Sequence, residues 1–452
     1  MPSSPSAHTI PATLQHPSAI KFWLALLGTG VVAGLGAGLL TGLLEAVQRL
    51  AWQGSGTNIL ASAQQVPASR CVLILVAAGV VTGVGQILLR RLSSGNGIDT
   101  TAAIWFHAGR LPGLRTLGSA ILSVVVVGLG VSLGREGAPK QVGAVFANVF
   151  SDFTRLSDEQ RRLLVACGTE AGMGAAYGVP LGGALFSLEV MRGVLALRYI
   201  LPALFCSAVA TAVAWTMLPN APTYVVPVYS SSAAALAVSV LCGLLAGFFS
   251  AGYVRLVTWA ERHKPSDWQR VAVPVLGLGF LGLAATQFPQ LLGNGKDISQ
   301  LLFSSGVSLP LAGALCVLKP AAILLCVRSG VPGGLFTPSL TCGALLGAVV
   351  GSLSSVTGWE VPTGLLALVG AGAVLAATTQ GPISTVVLLM ELTGRDRSFI
   401  LPLLAGVFTA TLVARSIEPR SVYDARLTDG EIAKRQELRE RTTVAPELAS
   451  KH

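Results

Sequence analysis

Gly134-Arg135-Glu136-Gly137-Ala138-Pro139 sets an acid and a base among small residues, between the apolar runs 117–133 and 142–153. Such a break ends one helix and starts another. The first turn of the new helix has N–H groups without intrahelical partners, and its dipole favours negative charge in front of it. Glu136 stands at that point. Ionised, its carboxylate can fill an anion site; protonated, it can leave. A helix-capping Glu paired with Arg135 is the plainer reading. The surroundings decide between them, because an ionisable residue inside a membrane is functional by default.

Those surroundings are apolar. Hydrophobic residues make up 52% of the 452-residue chain and charged residues 12%, against about 25% in a soluble domain. Mean hydropathy is +0.68. The 52 glycines and 24 prolines suit membrane helices, where both are commoner than in soluble ones. Apolar runs follow one another from residue 22 to about residue 414. Several are too short to cross about 30 Å of hydrocarbon, and Gly, Pro or Asn breaks many of them. Transporters use such segments where half-helices meet at the membrane midplane.

An internal repeat organises the runs. Gly95-Asn96-Gly97 recurs as Gly293-Asn294-Gly295, and GREGAP at 134–139 is matched by GGLFTP at 333–338. Pro180 and Glu189 are spaced like Pro382 and Glu391. All three matches keep one order and nearly one offset. They predict two structural halves, about 22–218 and 233–425, inside a transmembrane region spanning 21–425. Residues 1–20 form a polar N-terminal tail. Residues 426–452 read as a charged tail, a frayed or short surface-helix terminus too short for a regulatory domain. The apolar run after the first tail is too long for a signal-peptide core and reads as the first membrane segment.

The formal net charge is +10. The basic residues gather in short stretches, at 155–162, 262–270 and 415–441, as cytoplasmic loops do. They lack interleaved aromatics, which argues against a nucleic-acid partner. The seven cysteines have no metal-ligand spacing, so no metal or other cofactor is expected. No HExxH, GxSxG or Walker A sequence occurs, and no catalytic residue is assigned.

Besides Glu136, three segments can face an anion. Ser94-Gly95-Asn96-Gly97-Ile98 offers backbone N–H groups and a neutral amide. Gly333-Gly334-Leu335-Phe336-Thr337-Pro338 offers the amides of Leu335 and Phe336 at a half-helix start, with Pro338 in the first turn. Tyr423 offers a phenol, although an interfacial belt Tyr is the plainer reading. Neutral donors bind a small anion without holding it too tightly for release. Glu170, in Gly168-Thr169-Glu170-Ala171-Gly172, is a further intramembrane acid that could move protons or bond a neighbouring helix.

Together these segments resemble the CLC family of chloride channels and anion/proton antiporters, over about residues 22–430. The family's anion path uses a GSGIP loop, a GREGP loop, a GxFxP loop and a late tyrosine. Here they read GNGID (95–99), GREGA (134–138), GLFTP (334–338) and Tyr423. The resemblance implies an all-α polytopic membrane fold of two inverted repeats whose broken half-helices meet at a central anion site. It implies that Asn96 and Tyr423 flank the anion, that Gly97, Ile98, Leu335 and Phe336 offer amides, and that Glu136 is the gate. It also implies a homodimer in a lipid bilayer. The absence of a regulatory tail suggests a bacterial inner membrane.

The departures narrow the function. Asn96 stands where most members have Ser, and Asp99 and Ala138 replace the two usual motif prolines. Val190 stands where proton-coupled chloride antiporters carry their inner proton-accepting glutamate. Glu189 is adjacent but about 100° around the helix. Asn96 with Val190 resembles the fluoride/proton antiporter branch. Leu335 stands where some fluoride antiporters have a glutamate. The expected function is halide/proton antiport with fluoride favoured; the alternative is a passive chloride channel.

Overall fold

A computed structural model describes residues 19–53, 58–92, 99–193, 195–304, 306–359, 361–395, 399–435 and 437. Asn96, Gly97 and Ile98 lie outside the described residues. In the first half, α1 is Ala19–Trp52, α2 Ile59–Gln65, α3 Ala68–Leu92, α4 Thr100–Phe106 and α5 Gly113–Gly128. Then come α6 Gly137–Thr154, α7 Asp158–Tyr177, α8 Pro180–Phe186, a π-helical stretch Ser187–Arg192, and α9 Leu197–Ala214. The second half has α10 Ala233–Arg262, α11 Gln269–Gln287, α12 Lys296–Ser304, α13 Leu309–Arg328 and α14 Phe336–Val356. It closes with α15 Thr363–Thr379, α16 Pro382–Thr393 and α17 Ile400–Ile417. Among the described residues the architecture is all-helical, with 7 helices long and apolar enough to cross a membrane.

The longest helices exceed the bilayer. At 30 residues, α10 is about 45 Å long, so it must tilt across a ~30 Å core. By contrast, α8 has 7 residues and α16 has 12. These are the short, interrupted pieces that the repeat predicts.

Helix pairing follows small residues and obeys the repeat. Gly30 and Gly34 of α1 face the backbone of α9 at Cys206 and Ala210; Gly243 and Gly247 of α10 face α17 at Gly406 and Ala410. A Cβ on Gly143 of α6 would lie 1.8 Å from the Gly168 carbonyl of α7, and one on Gly343 of α14 would lie 2.2 Å from the Gly370 carbonyl of α15. Lipid is as apolar as leucine, so apolar burial alone cannot drive these contacts. Close backbone approach through small residues supplies van der Waals packing instead.

Two exchanges join the halves. Gly134 and Gly334 form an antiparallel bridge, each N–H donating to the other's carbonyl at 2.8 Å. This brings the starts of α6 and α14 face to face. Nearby, the start of each short helix is capped by an acid from the other half. Glu391 accepts from Leu181 N (3.0 Å) and Gly182 N (2.6 Å), and Glu189 accepts from Ile383 N (3.1 Å) and Ser384 N (2.7 Å). The Pro-to-Glu spacing that repeats in the sequence is this reciprocal cap.

The surface terminus expected after Thr428 is docked at its start. Residues 429–435 are helical, with Thr428 and Glu431 capping reciprocally. Ile432 packs with Ala102 and Leu427. Arg435, 3% exposed, pairs with Asp424 and donates to the Val190 carbonyl at 2.9 Å. Its guanidinium also lies over the Trp105 ring, 5.1 Å from the centroid.

Candidate anion site

Glu136 is the residue that precedes α6, yet its side chain makes no bond to its own helix. The carboxylate crosses instead to the start of α14. Oε1 accepts from Phe336 N at 2.7 Å and from Thr337 N at 3.4 Å. Oε2 lies 3.3 Å from Thr337 Oγ1 and 3.4 Å from Tyr177 Oη, and those two hydroxyls are 2.9 Å apart. Glu136 is 1% exposed. The simple reading of a cap paired with Arg135 therefore fails: Arg135 stacks over the Tyr177 ring at 5.0 Å.

The bridge glycines make room for this arrangement. A Cβ on Gly334 would fall 2.3 Å from Glu136 Oε1, and one on Gly134 would fall 2.1 Å from Oε2. Glycine is needed here for close approach, not for an unusual φ.

Chemically, the start of α14 presents two N–H groups and a hydroxyl to a buried carboxyl group. Each hydrogen bond to a charged group contributes about 1.5–3 kcal/mol, and the helix dipole adds up to ~2 kcal/mol where partly buried. A small anion in the same place would take over the same donors.

Of the residues singled out from sequence, Glu136 and Phe336 are in contact. Leu335 is the residue preceding α14, and Thr337 rather than Leu335 supplies the second amide. Tyr423 is not a belt residue. Its ring packs inward on Phe186 at 6.0 Å, and Phe186 packs on Phe336 at 5.9 Å. Tyr423 therefore connects to the α14 start through one shared ring. Glu170 is wholly buried in the middle of α7. Its contact is an ion pair, 3.1 Å to Lys140 Nζ. Val190 is buried and packs towards Gly381, while Glu189 is committed to capping α16.

Sequence reasoning missed Tyr177, Thr337 and Lys140. Tyr177 and Thr337 carry no local signal. Lys140 does: it is a cation four residues after Glu136, hence on the same helix face, in a run otherwise free of charge.

A cavity of about 240 Å³ opens beside Arg135 and Tyr177 and is lined also by Glu45, Asn294 and Lys296. It holds the second Gly-Asn-Gly turn, fixed by Lys319, whose ammonium donates to the Leu291 and Gly293 carbonyls at 3.0 Å. The last turns of α3, α10 and α17 carry Arg90 and Arg91, Arg262 and Arg415. The cavity reaches Tyr177, whose hydroxyl lies 3.4 Å from Glu136 Oε2.

Fold and site together define a multi-pass membrane transporter in which two inverted halves meet at a buried acid. The voltage gated chloride channel family model matches residues 78–415, most of the chain, and this protein belongs to that family, the CLC proteins. An H(+)/Cl(-) exchange transporter ClcA of Vibrio parahaemolyticus is 31% identical over 316 residues, 67% of each chain. A slow cyanobacterial Cl-/H+ antiporter has a similar structure, with TM-score 0.78 and 20% identity over 94% of this chain and 98% of that one. A CLC-type fluoride/proton antiporter aligns with TM-score 0.72 and 19% identity, covering 91% of this chain and 99% of that one.

Proposed function

We propose that this protein is a halide/proton antiporter gated by Glu136, working as a homodimer in a bacterial inner membrane. The observation that carries the reading is the crossing of the Glu136 carboxylate to the Phe336 and Thr337 amides. A halide arriving at the start of α14 replaces the carboxylate. The displaced carboxylate takes a proton, and return of the carboxylate releases both halide and proton to opposite sides. Asn96, Gly97, Ile98, Leu335, Phe336 and Tyr423 contact the anion along this path.

The proton's inner leg needs an acid. Val190 has none, and Glu189 is held by two amides of α16. Asp424, buried beside Tyr423, is held by Arg435 and Ser421; Glu170, buried and paired with Lys140, serves as the inner acceptor. Asn96 and Val190 favour fluoride as cargo. Leu335 and the Vibrio exchanger favour chloride.

The test is flux from liposomes loaded with fluoride or chloride, with external pH recorded. Coupled proton uptake with either halide supports antiport, and the faster halide identifies the cargo. Glu136→Ala should keep anion flux while losing proton uptake, or stop turnover. Chloride efflux as fast as fluoride, with no proton movement in the parent protein, would leave a passive chloride channel.

A further inference from the structure

Lys140 is a charged residue placed deep in an apolar protein. It lies on α6 one turn below Glu136 and is 6% exposed. Its ammonium is 3.1 Å from Glu170 Oε1, 4.7 Å from the Phe186 ring centroid and 5.1 Å from that of Tyr423. Phe186 and Tyr423 are the rings that lead to the α14 start. The cation therefore faces the anion route on one side and Glu170 on the other. Neither oxygen of Glu170 has a hydrogen-bond partner with normal geometry among the described residues, so Lys140 carries its whole compensation.

A buried ion pair is rarely a net source of stability, because desolvation of both ions offsets their attraction. An apolar pair would pack as well on these small-residue helices. The pair is better explained by what it can release. While Glu170 is ionised, Lys140 is neutralised by it. A proton on Glu170 frees the ammonium, and a halide beside Tyr423 can then replace the lost counter-charge.

We propose that Lys140 is a direct halide ligand and that protonation of Glu170 switches it on, so that one proton and one halide bind synergistically on the inner side of Glu136. This rests on the antiport reading for its place in a cycle, but it is an equilibrium statement about binding. The linkage is reciprocal: halide raises the proton affinity of Glu170 by the same factor by which the proton raises halide affinity. Other ionisable groups around the pair are otherwise engaged. Glu136 is held at α14, Asp152 pairs with Arg161, and Arg192 pairs with Glu159. Glu189 caps α16, Cys167 and Cys206 are buried thiols, and Lys21, Glu45 and Arg49 lie towards the ends of α1.

Calorimetric titration of the detergent-solubilised full chain with sodium fluoride and sodium chloride, from acid to alkaline pH, tests this. A Glu136→Gln background removes the gate's own acid. In that background, halide affinity should weaken about tenfold or more as pH rises, with about one proton taken up per halide. Adding Glu170→Gln should hold affinity high at every pH. Adding Lys140→Met to that double variant removes both charges of the pair without stranding either, and should weaken binding at every pH. Equal affinities with and without Lys140→Met would overturn the ligand assignment. A pH dependence that survives Glu170→Gln would overturn the switch. Loss of coupled flux in liposomes with this binding pattern intact would refute antiport and leave the inference standing.

Discussion

At the scale of single residues, the proposed gate depends as much on two missing side chains as on Glu136. Gly134 and Gly334 bring the halves to hydrogen-bonding distance and leave space for the carboxylate between them. Gly334→Ala should push the carboxylate off the α14 amides while leaving those amides in place. The expected result is an anion leak: halide flux maintained, proton-to-halide ratio reduced by half or more. A stability loss of about 1–3 kcal/mol from overpacking should accompany it. An unchanged ratio in the liposome assay would show that the carboxylate is not what occupies the α14 start. Lys140 and Glu170 belong to this scale too, since in the proposed switch a single proton decides whether that cation has a partner inside the protein.

At the scale of elements, the short helices α8 and α16 are stabilised from outside themselves. Neither is long enough to be stable alone, and each has its first N–H groups satisfied by an acid from the other half. Glu391→Ala and Glu189→Ala should each cost about 1–3 kcal/mol, the price of leaving charge-stabilised donors unpaired, seen as lower thermal midpoints in detergent. Because the caps are reciprocal, the two losses should be similar. Glu189→Ala should also leave the proton-to-halide ratio unchanged. Loss of proton coupling in that variant would make Glu189, not Glu170, the inner acceptor.

At the scale of the whole molecule, an ionic layer ties the segment after α17 to both halves. Arg426 pairs with Asp99 at 3.0 Å and with Glu261 at 3.2 Å. Glu418 follows α17 and accepts from Arg420 at 2.6 and 2.8 Å and from Arg255 of α10 at 3.0 Å. Hydrogen bonds from Arg420, then from Arg255, lower the Glu418 carboxyl to about 2, from an ordinary value near 4.3. Because the folded value is the lower one, this layer's stabilisation is fully present above the unfolded value and is lost as pH falls from there towards 2. Thermal midpoints should drop over that window in the parent protein, and Glu418→Gln should flatten the drop. An identical acid profile in the variant would remove Glu418 from the account.

Much of the molecule was legible in its sequence, because the bilayer restricts what a chain can do. Backbone polar groups must be satisfied internally, so long apolar runs are helices, and a repeated order of Gly and Pro breaks means repeated half-helices. Glu136 stood out for the same reason, as an acid where apolar residues are the rule. What local sequence could not contain were the partners across the repeat, some 200 residues away. The crossing of Glu136 to Phe336 and Thr337, the exchanged caps of Glu189 and Glu391, and the inward turn of Tyr423 all depend on packing of the two halves. Lys140 is the clearest case. Its charge was visible, but only helix packing shows that α7 brings Glu170 to it, because the shape of the folded core decides which buried charges meet.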